Sequence, residues 1–122
     1  MKRLCLLRHA KSDRSDPAAV DFERGLNPRG RQAAPAMGRY LKRQKLVPDL
    51  VLCSSARRTR DTLALVLPEL RVEPKIVYED VLYHASAAEM LEMLRGVQAG
   101  ASRVMLVGHN PEIHALALDL VG

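Results

Sequence analysis

Two histidines stand in similar short motifs near opposite ends of the chain. One motif is LRHA at residues 7–10 and the other is GHNP at residues 108–111. Each follows an apolar run typical of a buried strand and precedes signals of a turn or helix. Because open α/β sheets hold their ligands at the carboxyl ends of their strands, both imidazoles are expected at one edge of a sheet. With an arginine beside one of them, the pair indicates chemistry on a phosphoryl group.

Arg8 decides how the histidine beside it is interpreted. A lone histidine after a strand is more often a structural or solvent-facing residue than a reactive one. A neighbouring guanidinium, however, disfavours protonation of the His9 imidazole, and a nucleophile must be neutral. The same guanidinium can bind two phosphate oxygens through paired hydrogen bonds. The two residues together therefore favour phosphate chemistry.

A basic segment, SSARRTRDT at residues 54–62, follows a second apolar run. Its simplest interpretation is a solvated helix face. Arginines at the start of a helix, however, add their charge to free backbone amides, which suits phosphate binding. Clustered like charges also repel one another, and an anion among them relieves that repulsion. We therefore interpret this segment as a third part of the same site.

The remaining histidines carry less weight. His109 and His114 are five residues apart and do not share a helical face, so no metal-binding pair is expected. We expect His114 to pack or to face water. His84 either lines the rim of the site or is incidental.

Strand and helix signals alternate along the chain. Apolar runs predict strands at 4–7, 50–53, 75–78 and 104–107, and residues 11–24 are polar and predict a loop. Asn27 and Pro28 predict a helix start, with the helix running to about Gln44. A second helix is predicted over 56–67, ended by Pro68, and a third opens on the capping box Ser86–Glu89. A last helix starts at 110–111. This alternation predicts an α/β domain with a largely parallel sheet.

Composition limits the possible partners. The 122 residues are 48% hydrophobic and 3% aromatic, and they carry a net charge of +5. So few aromatic side chains count against a stacking platform for single-stranded nucleic acid. Several arginines lie beside the histidine motifs, which favours a localised phosphate site over a diffuse basic surface, so no nucleic-acid partner is expected. Cys5 and Cys53 lie in strand-like runs and are expected to be buried, reduced thiols. No signal-peptide pattern or membrane-length apolar run is present, which predicts a soluble cytoplasmic protein without a membrane partner.

Taken together, the motifs resemble the histidine phosphatase superfamily, which also contains the cofactor-dependent phosphoglycerate mutases. The resemblance is closest to its small SixA-like branch of phosphohistidine phosphatases. The segments that carry it occur in the family's order along nearly the whole chain, at residues 6–12, 23–30, 54–62, 82–85 and 107–111. It implies a single histidine phosphatase domain over 1–122. The implied fold is a three-layer α/β sandwich with a largely parallel central sheet flanked by helices.

The resemblance also implies roles for individual residues. His9 is the expected nucleophile, transiently phosphorylated, while Arg8, Arg58 and His109 bind the phosphoryl oxygens. Arg58 matches the family arginine better than Arg57 because it lies four residues after Ser54 and four before Thr62. Further substrate contacts are expected from Arg24, Lys11, Ser12 and Asn110. The general acid is not fixed, and Glu79 and Asp80 are the two candidates. Cationic side chains suffice for this chemistry, so neither a metal nor a cofactor is expected.

Several alternatives stay open. Protein phosphohistidine is the favoured substrate because no long insertion is available to form a lid, and a small phosphoester is the second. A non-catalytic module that binds phosphate or nucleic acid is the alternative of a different class. Ala10 stands where many family members have glycine. The chain also ends earlier than typical members, which leaves open whether a C-terminal edge element is missing. Oligomeric state is not indicated.

Overall fold

Four parallel strands form the centre of the molecule. The computed structural model describes residues 3–97 and 100–121. The strands are β1 (Arg3–Arg8), β2 (Leu50–Ser54), β3 (Lys75–Glu79) and β4 (Arg103–Gly108). Within the described residues they form one sheet in the order β1-β4-β2-β3, with every pairing parallel. The predicted strands are confirmed, each extended by one or two residues.

Four helices connect or follow the strands: α1 (Pro28–Arg43), α2 (Arg57–Leu70), α3 (Ala87–Arg95) and α4 (Glu112–Val121). The Asn27 side chain accepts a hydrogen bond from the Gly30 amide at 2.8 Å, so α1 begins with the predicted cap. Ser86 and Glu89 form the predicted capping box at the start of α3. No helix of the described chain combines the length and apolarity that a membrane crossing requires.

The helices cover both faces of the sheet. Alternate strand residues point to opposite faces, so Val51 and Met105 pack with α1 and α2, while Leu52 and Leu106 pack with α3 and α4. Because both faces are buried, the strands read as nearly continuous apolar runs. The three-layer α/β fold with a parallel sheet is therefore confirmed.

Two local predictions are wrong. Pro68 does not end α2, which continues to Leu70 and closes with Arg71 in the left-handed conformation at φ 55°. A proline this near the end removes one backbone donor, and the buried Leu70 side chain holds the final turn in the core. The loop over 11–24 is also not free of structure, because it contains a 3₁₀ turn (Asp21–Glu23).

Gly30 allows α1 to start directly against the chain that follows β1. A Cβ atom at this position would lie 2.3 Å from the Lys11 carbonyl oxygen and 3.0 Å from its amide nitrogen. Because the obstacle is backbone, Gly30→Ala is expected to lower the free energy of unfolding by about 1–3 kcal/mol. Urea denaturation measures the change. Gly96→Ala is the control, since a Cβ there meets nothing nearer than 3.5 Å. Equal losses in both variants would contradict the packing argument.

Candidate active site

A cavity of about 630 Å³ lies at the carboxyl end of the sheet. Strands β1, β4 and β2 are neighbours, so the residues that follow them converge there. The cavity is lined by seven of the predicted site residues: Arg8, His9, Lys11, Ser12, Arg58, His109 and Asn110. The structure thus brings together both histidine motifs and the basic segment.

His9 follows the last residue of β1, and its amide continues the ladder to the Gly108 carbonyl at 3.2 Å. Its ring Nδ1 lies 2.6 Å from the carbonyl oxygen of Ala10. A carbonyl only accepts hydrogen bonds, so Nδ1 carries the proton of the neutral ring. The lone pair therefore resides on Nε2, which is the nitrogen available for attack on an electrophile.

His109 follows β4, and its ring centroid lies 5.3 Å from that of His9. Its Nε2 is 2.8 Å from the hydroxyl oxygen of Ser54, at the end of β2. That oxygen also accepts the Ala56 amide at 3.3 Å, and we infer that it donates its own hydrogen to His109 Nε2. The imidazole proton then lies on Nδ1, which is buried and has no partner within the described residues.

Both histidines are held neutral. Burial lowers the pKa of His9 below its ordinary value of 6.5, and the charges of Arg58 and Arg8 lower it further, against an opposing effect of the hydrogen bond to Ala10. Burial, followed by the charge of Arg58, lowers the pKa of His109 to about 4. Near pH 7 one ring therefore offers a lone pair and the other an N–H group.

The Ser54 hydroxyl is expected to hold His109 in this tautomer. Ser54→Ala leaves Nε2 buried without its partner, and kcat/KM is expected to fall about tenfold. The ¹⁵N chemical shifts of His109 measure the tautomer directly, with Nδ1 protonated in the wild type. Ser55→Ala is the matched control, because the Ser55 hydroxyl bonds the Asp80 carboxylate instead. Protonation of Nε2 in the wild type would disprove the assignment.

Arg58 in the first turn of α2 is fixed in place by the loop that follows β1. Its guanidinium donates to the Asp21 carbonyl at 2.9 Å and to the Asp21 carboxylate at 3.2 Å. The Tyr83 hydroxyl donates to the same carboxylate, and the Arg58 guanidinium carbon lies 5.7 Å from the centre of the Tyr83 ring. Only 12% of the Arg58 side chain is exposed. The charge is therefore already positioned at the cavity before any ligand binds.

Arg57 points elsewhere, although it is adjacent in sequence. Its Nε lies 3.4 Å from the Asp61 carboxylate on the outer side of α2, and more than half of its side chain is exposed. Arg57 does not line the cavity. Of the two adjacent arginines, Arg58 therefore lines the cavity and Arg57 does not.

Thr62 ties α2 to the chain beyond β1. Its hydroxyl oxygen accepts the Ala10 amide at 2.9 Å and donates to the Arg58 carbonyl at 2.7 Å. The residue is buried. The hydroxyl therefore sets the distance between the His9–Ala10 segment and the helix that carries Arg58.

Arg24 does not line this cavity. Its guanidinium donates to the Asp13 carbonyl at 3.1 Å and to the Ala19 carbonyl at 3.4 Å, and its Nε lies 3.8 Å from the Asp21 carboxylate. These contacts hold the loop over 11–24 in shape. Arg24 is thus a loop residue in this structure rather than the expected contact with substrate.

Glu79 and Asp80 are also outside the cavity. Glu79 is the last residue of β3 and Asp80 follows it; β3 is an edge strand and is separated from β4 by β2. Asp80 is hydrogen-bonded to Ser55, and Glu79 lines a different cavity beside α3. The expected acid is therefore not supplied by either carboxylate in this geometry.

The remaining two histidines differ in their surroundings. His84 is exposed, and its ring centroid lies 4.1 Å from that of Tyr83, so it belongs to the rim. His114 is exposed on α4, in agreement with the expectation that it faces water.

Sequence reasoning missed the supporting roles of four residues: Ser54, Thr62, Asp21 and Tyr83. Ser54 and Thr62 belong to the motif quoted for Arg58, and a hydroxyl after a buried strand signals a capping or positioning role. Asp21 and Tyr83 are 62 residues apart and carry no local signal that would pair them.

Comparisons with known proteins identify the family of this chain. Residues 4–90 match the family model of the histidine phosphatase superfamily, branch 1. The uncharacterized protein Rv1276c of Mycobacterium tuberculosis is 36% identical over 114 residues, which cover 93% of this chain and 69% of that protein. Among solved structures, SixA of Agrobacterium tumefaciens, described as a candidate phosphohistidine phosphatase, is 36% identical with a TM-score of 0.92, covering 99% of this chain and 77% of that one.

A second solved structure, the protein histidine phosphatase SixA complexed with tungstate, has a TM-score of 0.86 at 24% identity. It covers 96% of this chain and 75% of that one, and at this identity it supports the fold. The family model and the relative at 36% identity show that the chain belongs to the histidine phosphatase superfamily. Within that superfamily it is a phosphatase of the SixA-like branch.

Proposed function

We propose that this phosphatase hydrolyses protein phosphohistidine through a phosphoryl group carried transiently on His9. One observation carries the proposal: Nδ1 of His9 is bound to the Ala10 carbonyl, so the lone pair lies on Nε2 inside the cavity. Arg58 and His109 line the same cavity, and Arg8 adds a third donor group. Donors of this kind stabilise the charge that develops on transferred phosphoryl oxygens.

In the proposed reaction, Nε2 of His9 attacks the phosphorus atom of the substrate phosphohistidine. A P–Nε2 bond forms, the P–N bond to the substrate imidazole breaks, and that imidazole leaves with a proton from solvent. Water then attacks the phosphorus atom on His9, loses a proton, and displaces the His9 imidazole as the leaving group. The net change is one water consumed and one inorganic phosphate released.

The composition of the cavity supports a nitrogen leaving group. Asp13 is the one carboxylate among the described residues that line it, and its Oδ1 accepts the Ser15 amide at 2.8 Å. An alkoxide leaving group needs a strong, well-placed acid, whereas the nitrogen of a phosphoramidate is easily protonated. A site of this composition therefore suits phosphohistidine better than a phosphoester.

A comparison of substrates tests the proposal. A histidine-phosphorylated protein and a panel of small phosphoesters, including p-nitrophenyl phosphate and a sugar phosphate, are incubated with equal enzyme, and released phosphate is measured. We expect the phosphohistidine protein to have the higher kcat/KM. A clear preference for one of the small phosphoesters would overturn the proposed substrate class.

We also propose a cytoplasmic location for this phosphatase. Cys5 and Cys53 are both free thiols, and Cys53 is buried. Thiols that stay reduced are typical of a reducing compartment.

A further inference from the structure

Cations outnumber carboxylates among the side chains that line the cavity. Four cationic side chains line it, against a single carboxylate among the described lining residues. The cations are Arg8, Lys11, Arg14 and Arg58. Arg58 is paired with Asp21, and Arg58 and Arg8 line the cavity beside His9, where the phosphoryl group is taken to bind. Lys11 and Arg14 belong to the segment that follows His9 and Ala10.

Lys11 and Arg14 lack an acidic partner. Within the described part of the chain, no carboxylate lies within 4.0 Å of either side chain, and both side chains are exposed. Asp13 lies between them in sequence, but hydrogen bonds from Ser15 occupy its carboxylate and lower its pKa, helped by the charges of Arg31 and Arg24. The two cations are therefore available to an anion that enters the cavity.

The backbone holds these two cations over the start of α1. Ser12 pairs with Leu26 in an antiparallel bridge, and the Asp13 amide donates to the Gly25 carbonyl at 2.8 Å. Residues 11–15 thus form one wall of the cavity, and Asn27 and Pro28 form the floor beside it. This part of the cavity is therefore built from the chain that follows His9 and from the start of α1.

The volume leaves room for a second group. Cavities of about 300–1,000 Å³ hold molecules of drug size, and this one measures about 630 Å³. A phosphoryl group bound between His9 and His109 fills a small part of it. Space for the rest of a substrate therefore remains beside residues 11–15.

We propose that Lys11 and Arg14 form a second anion subsite, which binds a carboxylate carried by the substrate close to its phosphoryl group. The inference rests on the proposed function in so far as it takes the phosphoryl group to bind at His9. In a protein substrate the carboxylate belongs to an aspartate or glutamate beside the phosphohistidine. In a small substrate it belongs to the phosphorylated molecule itself.

Binding of two matched phosphonates tests the subsite without any turnover. 3-Phosphonopropionate carries a carboxylate where n-propylphosphonate has a methyl group. By calorimetry at low salt, we expect 3-phosphonopropionate to bind about five- to tenfold more tightly, the size expected for two solvent-exposed ion pairs. Equal affinity of the wild type for the two compounds would overturn the inference.

Charge-removing variants locate the effect. Arg14→Gln and Lys11→Gln each remove one of the two ion pairs, and each is expected to reduce the preference for 3-phosphonopropionate to about two- to threefold. Arg29→Gln is the control, because Arg29 is an exposed cation of α1 that does not line the cavity. Loss of the preference in Arg29→Gln to the same degree would mean that net charge, and not the subsite, causes it.

Two phosphohistidine peptides identify the source of the carboxylate. They differ only in aspartate or asparagine residues on either side of the phosphohistidine. Faster hydrolysis of the aspartate peptide, lost in Arg14→Gln, supports the subsite with a protein substrate. If neither peptide is hydrolysed but 3-phosphonopropionate still binds more tightly than n-propylphosphonate, the proposed protein substrate is contradicted. The anion subsite is then supported as a site for the carboxylate of a small phosphorylated molecule. Equal hydrolysis of both peptides by the wild type would overturn the subsite for protein substrates.

Discussion

His9→Ala is expected to lower kcat/KM by about 10⁴-fold or more, the scale of losses found when the nucleophile of a covalent mechanism is removed. Nε2 of His9 is the nitrogen whose lone pair is left free by the contact of Nδ1 with the Ala10 carbonyl. Its lowered pKa keeps the ring unprotonated near neutral pH. The measurement is steady-state hydrolysis of p-nitrophenyl phosphate and of a phosphohistidine protein.

Two controls separate loss of the nucleophile from loss of the fold. Circular dichroism and thermal unfolding check that His9→Ala remains folded. Added imidazole is expected to restore part of the activity, because the deleted side chain leaves a space of that shape inside the cavity. Wild-type enzyme quenched in alkali during turnover is expected to carry an acid-labile phosphoryl group on His9 by mass spectrometry. Full activity in His9→Ala would exclude the covalent mechanism.

Arg58→Gln is expected to lower kcat by about 10²–10³-fold, as when a preorganised donor to a developing anionic charge is removed. Asp21 already fixes the guanidinium by two hydrogen bonds, and only 12% of the Arg58 side chain is exposed to solvent. Little reorganisation is therefore needed when the phosphoryl group arrives. The readout is kcat with saturating substrate, so that weaker binding is not mistaken for slower chemistry.

The adjacent arginine provides a matched control for this prediction. Arg57→Gln removes the same charge one residue earlier, where the side chain faces Asp61 and solvent. We expect its kcat to change by less than about threefold, as for a screened surface charge. Similar losses in both variants would show that the overall positive charge of α2 matters, and not the placement of Arg58.

The support of the site explains why its parts depend on one another. Ser54 bonds His109, and Thr62 bonds both the Ala10 amide and the Arg58 carbonyl. Asp21 connects Arg58 to Tyr83, whose ring lies 5.6 Å from that of His109. Hydroxyl and carboxylate groups thus couple three separate segments of chain around one cavity. Substitutions among them are expected to be non-additive.

The sequence by itself determined the elements and the principal site residues. Apolar runs predicted the four strands, of which the central β2 and β4 are buried on both faces. Caps such as Asn27 and the Ser86–Glu89 box act within a single turn. The motifs around His9, Arg58 and His109 end strands or begin a helix, so their positions at one edge follow from a parallel sheet.

Tertiary structure alone decided which polar side chains join these residues. The strand order β1-β4-β2-β3 puts Glu79 and Asp80 at the far edge, and no local pattern encodes that order. Arg58 meets Asp21 across 37 residues of sequence. The Arg24 side chain packs within the loop over 11–24, because the carbonyl groups of Asp13 and Ala19 accept hydrogen bonds from its guanidinium. Local sequence specifies burial and caps, whereas these contacts arise only when distant segments pack together.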